Sequence, residues 1–382
     1  MEKNPFEYGR ELGLSELVDR EAEMRDIEAT IRNRSKLFLI GPRRYGKTSL
    51  LSAAHEAARK HGTVVIRLDA EKYESLDLLA AAMLTAATRA LQGPLEKTIG
   101  LIRDVASRLR PEFVADGENI VVRIGALPGK SELPLLTEAL EAVERLAERT
   151  EKQVVVILDE VQQIVVEHGI TAERQLRSVV QTHRHVGYIF AGSDTRLLTA
   201  MTQDADRPFY RLGTRVYLGP LPRRAFLDFL HRTFESSGIE VEQGAAERIL
   251  ELAKEVPYNV QRLAHEVWEI ARSGGLGRLT VELVDDALHR VVLRDDAAYT
   301  QIWTGLTSNQ KKALKAVIMT DGTDLFSAET QRKFKVPSSS LHRSVEAIEA
   351  AHLVRVEASG GETRHRLVDP FFGAWLRVSQ LG

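Results

Sequence analysis

A glycine-bounded loop near the N-terminus constrains the fold more than any other feature of this chain. It reads Gly41-Pro-Arg-Arg-Tyr-Gly46-Lys47-Thr48, follows the apolar run 36–40 and opens a helical pattern over residues 48–59. Glycine lets backbone N–H groups turn inward around an anion, and the start of a helix adds favourable partial charge. This spacing between a strand and a helix predicts a phosphate-binding P-loop. The alternative is a glycine turn that binds no nucleotide.

The P-loop predicts contacts to ATP and Mg²⁺. Lys47 is expected to reach the outer phosphates, and Thr48 is expected to offer its hydroxyl to Mg²⁺. The residues of this segment expected to bind ATP are Gly41, Pro42, Arg43, Arg44, Tyr45, Gly46, Lys47, Thr48 and Ser49.

Short apolar runs alternate with longer helical patterns from residue 36 to residue 221. The strand patterns are 36–40, 63–68, 153–158, 188–191 and 215–218. The third is apolar throughout after its first residue, as expected for a strand that is buried on both faces. We therefore predict an α/β fold, with a parallel sheet covered by helices on both faces, and assign residues 1–221 to this core. A turn signal beside the β-rich run 119–124 predicts a hairpin insertion at 111–130, which either decorates the core or contacts a partner.

Two further domains are expected after the core. The apolar periodicity of residues 222–296 is helical throughout and is typical of a small lid domain. In residues 297–382, three helical patterns (308–319, 328–334 and 338–351) precede a strand pair at 353–357 and 363–367. Three helices followed by a hairpin are the order of a winged helix.

Two carboxylates, Asp159 and Glu160, end the third strand pattern. They are expected at the carboxyl edge of a parallel sheet, where ligands of such sheets bind. Asp159 would hold Mg²⁺, and Glu160 would polarise the water that attacks the γ-phosphate. An acidic pair after a strand is otherwise a solvated strand end, but the P-loop upstream favours the functional interpretation. After the next strand pattern, Ser193 either senses the γ-phosphate or, with Asp194, caps the following helix.

An arginine supplied across a subunit interface would complete the site, because a guanidinium stabilises charge on the phosphoryl oxygens. The candidates are Arg196, Arg207, Arg211 and Arg215. We prefer Arg211, which stands just before the fifth strand pattern. In the lid, Pro257 and Arg262 are candidates for reporting the state of the nucleotide, although helix initiation explains the proline equally well.

The composition excludes several classes of function. The net charge is −2, so no global field draws the chain to nucleic acid or to a membrane. The chain has no cysteine, which removes disulfides, thiolate chemistry and cysteine-based zinc sites and suits a reducing compartment. The longest apolar stretch, around residues 78–88, is too short to cross a bilayer. We expect a cytoplasmic protein.

Many of these pieces, in this order and spacing, resemble the archaeal-type ATPase family within the STAND and related AAA+-like P-loop ATPases. The resemblance covers nearly the whole length. It rests on Asn4-Pro-Phe with Tyr8-Gly9, Val18-Asp-Arg20-Glu21-Ala-Glu23-Met, the segments 39–50 and 157–162, Gly192-Ser193, Pro208-Phe-Tyr-Arg211, Leu218-Gly-Pro-Leu-Pro222 and Asp369-Pro-Phe-Phe-Gly-Ala-Trp375-Leu.

The resemblance implies a five-stranded core of strand order 5-1-4-3-2, a helical lid and a C-terminal winged helix. It also implies that Arg20 and its neighbours lie near the adenine of ATP. Two positions depart from the family pattern. Asp19 stands where glycine is usual before Arg-Glu, and Glu255-Val256-Pro257 lacks the glycine of a Gly-x-Pro lid motif. These departures concern the contacts of lid and base, and the phosphate-binding residues are intact.

If the third domain binds double-stranded DNA, the helical pattern 338–351 would enter the major groove. The residues expected there are Ser338, Ser339, His342 and Arg343, and Arg355, Arg364 and Arg366 of the wing would contact phosphates. Residues 297–382 contain eleven basic and eight acidic residues, a net charge of only about +3. Docking of a protein partner, or packing against the lid, therefore stays the alternative.

Three functions fit these features. The first is a slow regulatory ATPase switch, in which ATP repositions the winged helix toward DNA or a protein partner and promotes assembly of a homo-oligomer. The second is an origin-recognition-like or loader ATPase that assembles on DNA. The third is a nucleotide-gated scaffold without hydrolysis, against which the intact Asp159-Glu160 pair argues. We favour the first because the chain lacks a broad basic surface.

Overall fold

A computed structural model describes residues 3–13, 16–91, 95–116, 119–124, 133–359 and 362–380. The chain divides into two compact units. The core unit is Gly9–Pro222, and the C-terminal unit comprises the chain from Arg223 onward together with the residues up to Tyr8.

A five-stranded parallel sheet forms the centre of the core unit. The strands of this unit are β1 (Lys36–Ile40), β2 (Val64–Asp69), β3 (Pro111–Asp116), β4 (Asn119–Ile124), β5 (Val154–Asp159), β6 (Val186–Gly192) and β7 (Thr214–Tyr217). The sheet order is β2-β5-β6-β1-β7, with every neighbouring pair parallel. Numbered among the sheet strands alone, this is 5-1-4-3-2, so the predicted order is confirmed. Every residue of β5 is buried, as its continuous apolar sequence predicts.

Helices pack on this sheet and extend from it. They are α1 (Glu21–Asn33), α2 (Lys47–Lys60), α3 (Leu76–Ala90), α4 (Leu95–Val105), α5 (Leu133–Thr150), α6 (Gln162–Val180) and α7 (Thr195–Gln203). Helix α1 contacts β6, while α3 contacts β2 and also α4 and α5. Because its five strands are parallel, their carboxyl ends all lie at one edge of the sheet, where the P-loop precedes α2.

Strands β3 and β4 occupy the region of the predicted insertion and pair antiparallel from Pro111–Ile124 to Asp116–Asn119. Strand β4 packs on α3, where the N–H of Val122 donates to Thr85 Oγ1 at 2.9 Å. Residues 117–118 of the predicted turn, and residues 125–130 of the predicted insertion, lie outside the described residues.

The C-terminal unit is mainly helical. Its helices are α8 (Arg223–Ser236), α9 (Ala245–Ala253), α10 (Pro257–Ser273), α11 (Val281–Arg294), α12 (Asp296–Gly305), α13 (Ser308–Met319), α14 (Ala328–Phe334), α15 (Ser338–Ala350) and α16 (Pro370–Gln380). Its strands are β8 (Glu240–Val241), β9 (Arg278–Leu279), β10 (Val354–Ser359) and β11 (Glu362–Leu367), with β10 and β11 antiparallel. In the part of the chain that the structure describes, no helix combines the length and the apolar character needed to cross a bilayer.

The N-terminal segment belongs to the C-terminal unit, although the sequence analysis placed it with the core. Phe6 is fully buried, with ring centroids 4.4 Å from Phe234 and 6.0 Å from Phe229 of α8. The side-chain amide of Asn4 donates to the carbonyl of His265 at 3.2 Å. Burial of one aromatic ring contributes about 2 kcal/mol or more, which explains why the segment packs against a part of the chain that follows the core.

Candidate functional site

The P-loop residues take up the conformation that an anion-binding loop requires. A Cβ at Gly41 would lie 2.6 Å from Leu218 Cβ, so only glycine fits at the end of β1. Gly46 has φ +85°, and a Cβ added there would meet no atom within 4 Å. The N-terminus of α2 has no side-chain cap and no acidic residue in its first turn. Its first N–H groups are therefore open to an anion such as a phosphate.

The other loop residues divide between buried and exposed positions. Tyr45 is 3% exposed and belongs to the core of the unit. Arg43 and Arg44 are exposed, and Arg43 pairs with Glu71 at 3.1 Å. Pro42 lies at an intermediate depth. The predicted contacts of these residues with ATP stay predictions, and for Tyr45 only the backbone is placed to make one.

Lys47 joins the P-loop to the carboxylates at the end of β5. Its Nζ lies 2.5 Å from Asp159 Oδ1 and 2.7 Å from Glu160 Oε1, and only 5% of its side chain is exposed. The hydroxyl-bearing Thr48 next to it is exposed. The structure thus brings together the lysine that is predicted to bind phosphate and both predicted acidic residues. This set of a lysine, a threonine hydroxyl and a carboxylate fits a Mg²⁺–nucleotide complex.

Glu160 is held from two sides in a strained backbone conformation with φ +49°. Its Oε2 accepts hydrogen bonds from the backbone N and from the Oγ of Ser193, both at 2.9 Å. Burial raises the pKa of Glu160, but the charge and hydrogen bond of Lys47, with the bonds from Gln162 and Ser193, lower the pKa further than burial raises it. Glu160 is therefore ionised at neutral pH.

Ser193 does not cap the following helix. Asp194 does so, since its side chain accepts a hydrogen bond from the N–H of Leu197 at 2.8 Å. The Ser193 hydroxyl is bonded to Glu160 instead. The cap is therefore Asp194 and not Ser193. Sensing of a γ-phosphate by Ser193 stays a prediction.

Gln162 is a site residue to which the sequence analysis gave no role. Its Nε2 donates to Glu160 Oε2 at 2.5 Å, and its Oε1 is buried without a hydrogen-bond partner. A Cβ at Gly192 would lie 2.0 Å from this Oε1, so the glycine makes room for the amide. The signal in the sequence is a polar residue two positions after Glu160, at the start of a helix that leaves the same sheet edge.

The comparisons with known proteins place the site in a family. Residues 17–263 match the family described as an ATPase domain predominantly from Archaea. The matched range is well over half of the chain and contains the P-loop, both carboxylates and Ser193. The chain belongs to this archaeal ATPase family. No curated protein matches its sequence.

Solved structures share the fold. The Walker-type ATPase PABY2304 of Pyrococcus abyssi has 18% identity and a TM-score of 0.64, with 98% of this chain and 99% of that chain covered. The ORC2 protein of Aeropyrum pernix, described as ADPNP-ADP complexes, has 15% identity and a TM-score of 0.57, with 98% and 96% covered. At these identities the likeness shows a common P-loop ATPase fold.

Arg20 connects three segments of the ATPase core. One of its Nη atoms donates to the carbonyl of Gly219 at 2.9 Å and to the carbonyl of Tyr45 at 3.3 Å. The other pairs with Glu23 at 2.7 Å, and the residue is 7% exposed. Ser49, predicted to bind ATP, accepts from the N–H of Leu12 at 3.1 Å. The structure thus gives Arg20 a role in fixing the P-loop, beside the contact to adenine that the resemblance implies.

Two of the four candidate arginines serve the core itself. Arg207 donates from Nε at 3.0 Å and from Nη at 2.5 Å to a single oxygen of Glu173, whose side chain is fully buried. Arg215 donates to the carbonyl of Thr202 at 3.1 Å. Arg196, Arg211 and Arg215 are exposed. The internal bonds of Arg207 and Arg215 leave Arg196 and Arg211 as the better candidates.

The loop that carries Arg211 is firmly anchored. Arg177 of α6 donates to the carbonyl of Tyr210 at 2.8 Å and also to that of Pro208. The N–H of Phe209 donates to Glu173 Oε1 at 2.9 Å. Arg211 itself has φ +54°, and its guanidinium lies 5.0 Å from the ring of Tyr210. The structure thus presents this arginine at the surface on a fixed backbone.

The predicted lid residues lie in the C-terminal unit. Pro257 is the first residue of α10, as expected for helix initiation. Arg262 pairs with Asp295 at 2.7 Å and lies 5.8 Å from the ring of Phe371. An approach of either residue to the nucleotide stays a prediction, and for Arg262 it would require this ion pair to open.

The predicted DNA-contacting residues of α15 are all exposed. Ser338 and Ser339 form its first turn, and Arg343 follows one turn later. His342 stacks on Phe326, with ring centroids 3.8 Å apart and an interplanar angle of 5°. The helix therefore presents its polar residues to solvent, while the ring of His342 is held against a neighbour.

The predicted wing arginines form ion pairs within the C-terminal unit. Arg355 and Arg366 both pair with Glu357, at 2.7 and 2.8 Å. Arg364 pairs with Asp321 and donates to its carbonyl at 2.8 Å. Contact with phosphates would have to compete with these carboxylates, so the β10–β11 hairpin offers less free positive charge than its sequence implies.

Replacing Arg207 by alanine is expected to lower the free energy of unfolding of the core by about 3 kcal/mol, because it leaves Glu173 charged, buried and without its cation. Urea unfolding followed by circular dichroism measures the loss. Arg211→Ala is the matched control, since removal of an exposed arginine changes stability by about 0.5 kcal/mol or less. A loss below about 1 kcal/mol for Arg207→Ala would show that water or a neighbour compensates Glu173.

Proposed function

We propose that this archaeal-family ATPase is a slow ATP-hydrolysing switch whose nucleotide state controls assembly and the binding of a partner. One observation carries the proposal. Lys47, Asp159 and Glu160 meet within 2.5 to 2.7 Å beside the uncapped start of α2. A phosphate-binding lysine, a magnesium-binding carboxylate and an ionised glutamate are the groups that P-loop hydrolysis needs.

The P-loop N–H groups and Lys47 would bind the phosphates of ATP, while Thr48 and Asp159 would hold Mg²⁺. Bound ATP supplies the phosphoryl group that is transferred to water. Lys47 exchanges its contact with Glu160 for the outer phosphates. Glu160, still held by Ser193 and Gln162, can then orient water and accept its proton.

Nucleotide-dependent assembly of a homo-oligomer is the second part of the proposal. Arg211 is exposed on an anchored loop and is our candidate for the arginine that acts on a neighbouring subunit. A fixed backbone reduces the entropy cost of placing a long side chain against a phosphate. Assembly would thus join two half-sites into one competent site.

The output of the switch is proposed to be the last part of the chain, as a winged helix of α13 to α15 with β10 and β11. Its ion-paired wing arginines favour a protein partner over DNA. The exposed polar start of α15 supports the alternative, an origin-recognition-like or loader ATPase on DNA. A scaffold that binds ATP without hydrolysis is disfavoured, because Glu160 is ionised and fixed beside the P-loop.

The test is steady-state phosphate release over a range of protein concentrations. We expect turnover below about 1 s⁻¹ that rises with concentration, since typical enzymes turn over at about 10 s⁻¹. Arg211→Ala should lose the concentration-dependent part and keep ATP binding, because the residue acts on a neighbour.

The same assay with duplex DNA distinguishes the alternatives. We expect DNA to change turnover by less than about threefold, and strong stimulation that falls steeply with salt would favour the loader. Tight ATP binding without any turnover of the wild-type protein would favour the scaffold. Turnover that is independent of concentration and of Arg211 would contradict assembly.

A further inference from the structure

A cleft of about 830 Å³ lies along β2 in the core unit, away from the nucleotide site. Its walls come from α2, β2, α3 and β4. No residue of the P-loop lines it, nor do Asp159, Glu160 or Ser193. Its volume is within the range of ligand-binding pockets, so it is large enough to take a bound group.

One wall of the cleft is the unpaired edge of a strand. Strand β2 is the outermost strand of its sheet and pairs with β5 on one side only. The N–H of Val64 donates to Gln153 on the β5 side at 2.8 Å, so by alternation the N–H and C=O groups of Val65 and Arg67 point away from β5. Among the described residues, nothing bonds to these outward backbone groups. The edge can therefore accept another strand.

The opposite wall, β4, is closed to such pairing at its centre. Thr85 of α3 bonds to the backbone of Val122, accepting from its N–H at 2.9 Å. Between the two strands, the lining side chains of α3 include Ala81, Ala82 and Ala86, which are small and only half-buried. This leaves space over α3 for an extended backbone beside β2.

The rim of the cleft is basic. Arg59, Arg89 and Arg123 line it and are exposed, and no carboxylate among the described residues pairs with any of them. Asp77 is the acidic residue of the lining. Three unpaired guanidinium groups around an apolar floor complement a ligand with regularly spaced carboxylates.

His55 is a neutral residue of the cleft. Burial is the largest cause that lowers the pKa of His55, the charges of Arg67 and Arg59 lower it further, and the charge of Glu11, which pairs with Arg67 at 3.0 Å, raises it. The imidazole is therefore neutral at pH 7, and the positive charge of the cleft that a ligand can use comes from the rim arginines.

We propose that this cleft binds an extended acidic segment of a protein partner, which adds to the edge of β2 as a sixth strand. Backbone hydrogen bonds to Val65 and Arg67 would supply affinity, and carboxylates on the segment would meet Arg89 and Arg123. The proposal goes beyond the switch described above, because the cleft needs neither ATP hydrolysis nor assembly.

The geometry favours a peptide over single-stranded nucleic acid. Nucleic-acid grooves of this kind use aromatic side chains to stack successive bases. Tyr73 and His55 are the aromatic residues of the described lining, whereas most of the floor is aliphatic. A strand edge beside an aliphatic floor suits alternating side chains.

The test measures binding of a fluorescein-labelled acetyl-(Glu-Val)₃-amide peptide to the full chain by fluorescence anisotropy. Arg89→Glu and Arg123→Glu should each weaken binding by about fivefold or more, which corresponds to about 1 kcal/mol for each lost ion pair. The double variant should weaken it further. Arg174→Glu is the matched control, because Arg174 is exposed on α6 and does not line the cleft. Phosphate release should be unchanged in all three single variants, which shows that they fold.

Four results would overturn the proposal. The first is equal binding of the (Lys-Val)₃ peptide, which would remove the charge argument. The second is equal binding of a (Glu-Val)₃ peptide N-methylated at alternate residues, which would exclude strand addition because the backbone donors are lost. The third is tighter binding of a single-stranded oligonucleotide of equal charge. Absence of binding to the acidic peptide would also contradict it.

Discussion

Glu160→Gln is expected to bind ATP with nearly wild-type affinity and to hydrolyse it at least about 100-fold more slowly, as loss of a catalytic base usually costs 10² to 10⁴ in rate. The amide has the size of the carboxylate but cannot take a proton from water. It also cannot accept hydrogen bonds from Ser193 and Lys47 at both of its ends. Single-turnover phosphate release, with binding of a labelled ATP analogue measured in parallel, separates the two effects.

The matched control is Glu167→Gln, which makes the same chemical change at an exposed glutamate of α6. It should leave turnover unchanged. If Glu160→Gln kept turnover within about threefold of wild type, another group would have to be the base, and the proposed role of Glu160 would be wrong.

The pH dependence of turnover gives a second check on the same residue. Because the pKa of Glu160 lies below its usual value of about 4.3, this carboxylate stays ionised throughout the range from pH 8 to pH 5. Any loss of turnover between pH 8 and pH 5 should therefore originate from the titration of other groups. Protonation of Glu160 should not contribute to it.

Much of the core could be predicted because its signals are local. The apolar run 154–158 of β5 has no polar residue on either face, and this alone predicts a strand that is buried on both faces. The role of the P-loop glycines could be predicted from their residue type, because a Cβ at Gly41 would clash with Leu218 and because Gly46 has a positive φ. The strand order 5-1-4-3-2 came from the family resemblance, since periodicity says which face of a strand is buried but not which strand lies beside it.

The rest depends on contacts between distant parts of the chain. Glu173 and Arg207 are 34 residues apart, and neither residue type indicates a buried pair. Phe6 lies 223 residues before the ring of Phe229 that it touches. Gln162 resembles an ordinary polar residue at a helix start until its bond to Glu160 is seen. Such pairings are fixed by tertiary packing, which local patterns do not encode.

The same limit explains the change in the interpretation of the arginines. From the sequence, Arg207, Arg211 and Arg215 differed only in position. The structure distinguishes them by partner, because Arg207 bonds to Glu173 and Arg215 to the carbonyl of Thr202, while the guanidinium of Arg211 lies against the ring of Tyr210. The functional candidate is thus the arginine that contributes least to the fold of its own subunit.

Lys47→Ala is expected to have two effects at once. ATP binding should weaken by at least about 100-fold, because the variant lacks the buried ammonium group that would contact the outer phosphates. The fold without nucleotide should also lose about 3–5 kcal/mol at neutral pH, because Asp159 and Glu160 remain buried without their cation. Isothermal titration with ATP and urea unfolding measure the two effects, and unaltered ATP binding would contradict the assignment of the P-loop.

The sign of the pH dependence distinguishes this cause of instability from a packing defect. In the wild-type protein the lowered pKa of Glu160 adds stability above its unfolded value of about 4.3, and this is lost as the pH falls through the folded value. Without Lys47, burial is the largest remaining influence and raises the pKa of Glu160. Stability is then lost as the pH rises through that higher value. The deficit of Lys47→Ala should therefore shrink from pH 8 toward pH 4.

Two further variants separate charge from volume. Lys47→Met keeps most of the aliphatic stem and should be nearly as unstable as Lys47→Ala at pH 8, because the lost charge dominates. Lys47→Ala with Glu160→Gln should recover about 1–3 kcal/mol, since one of the two unpaired carboxylates is gone. If Lys47→Met were as stable as wild type, or if the deficit were the same at every pH, packing of the stem would account for the loss. The buried ion pair of the unliganded protein would then contribute little, and opening it on ATP binding would cost little.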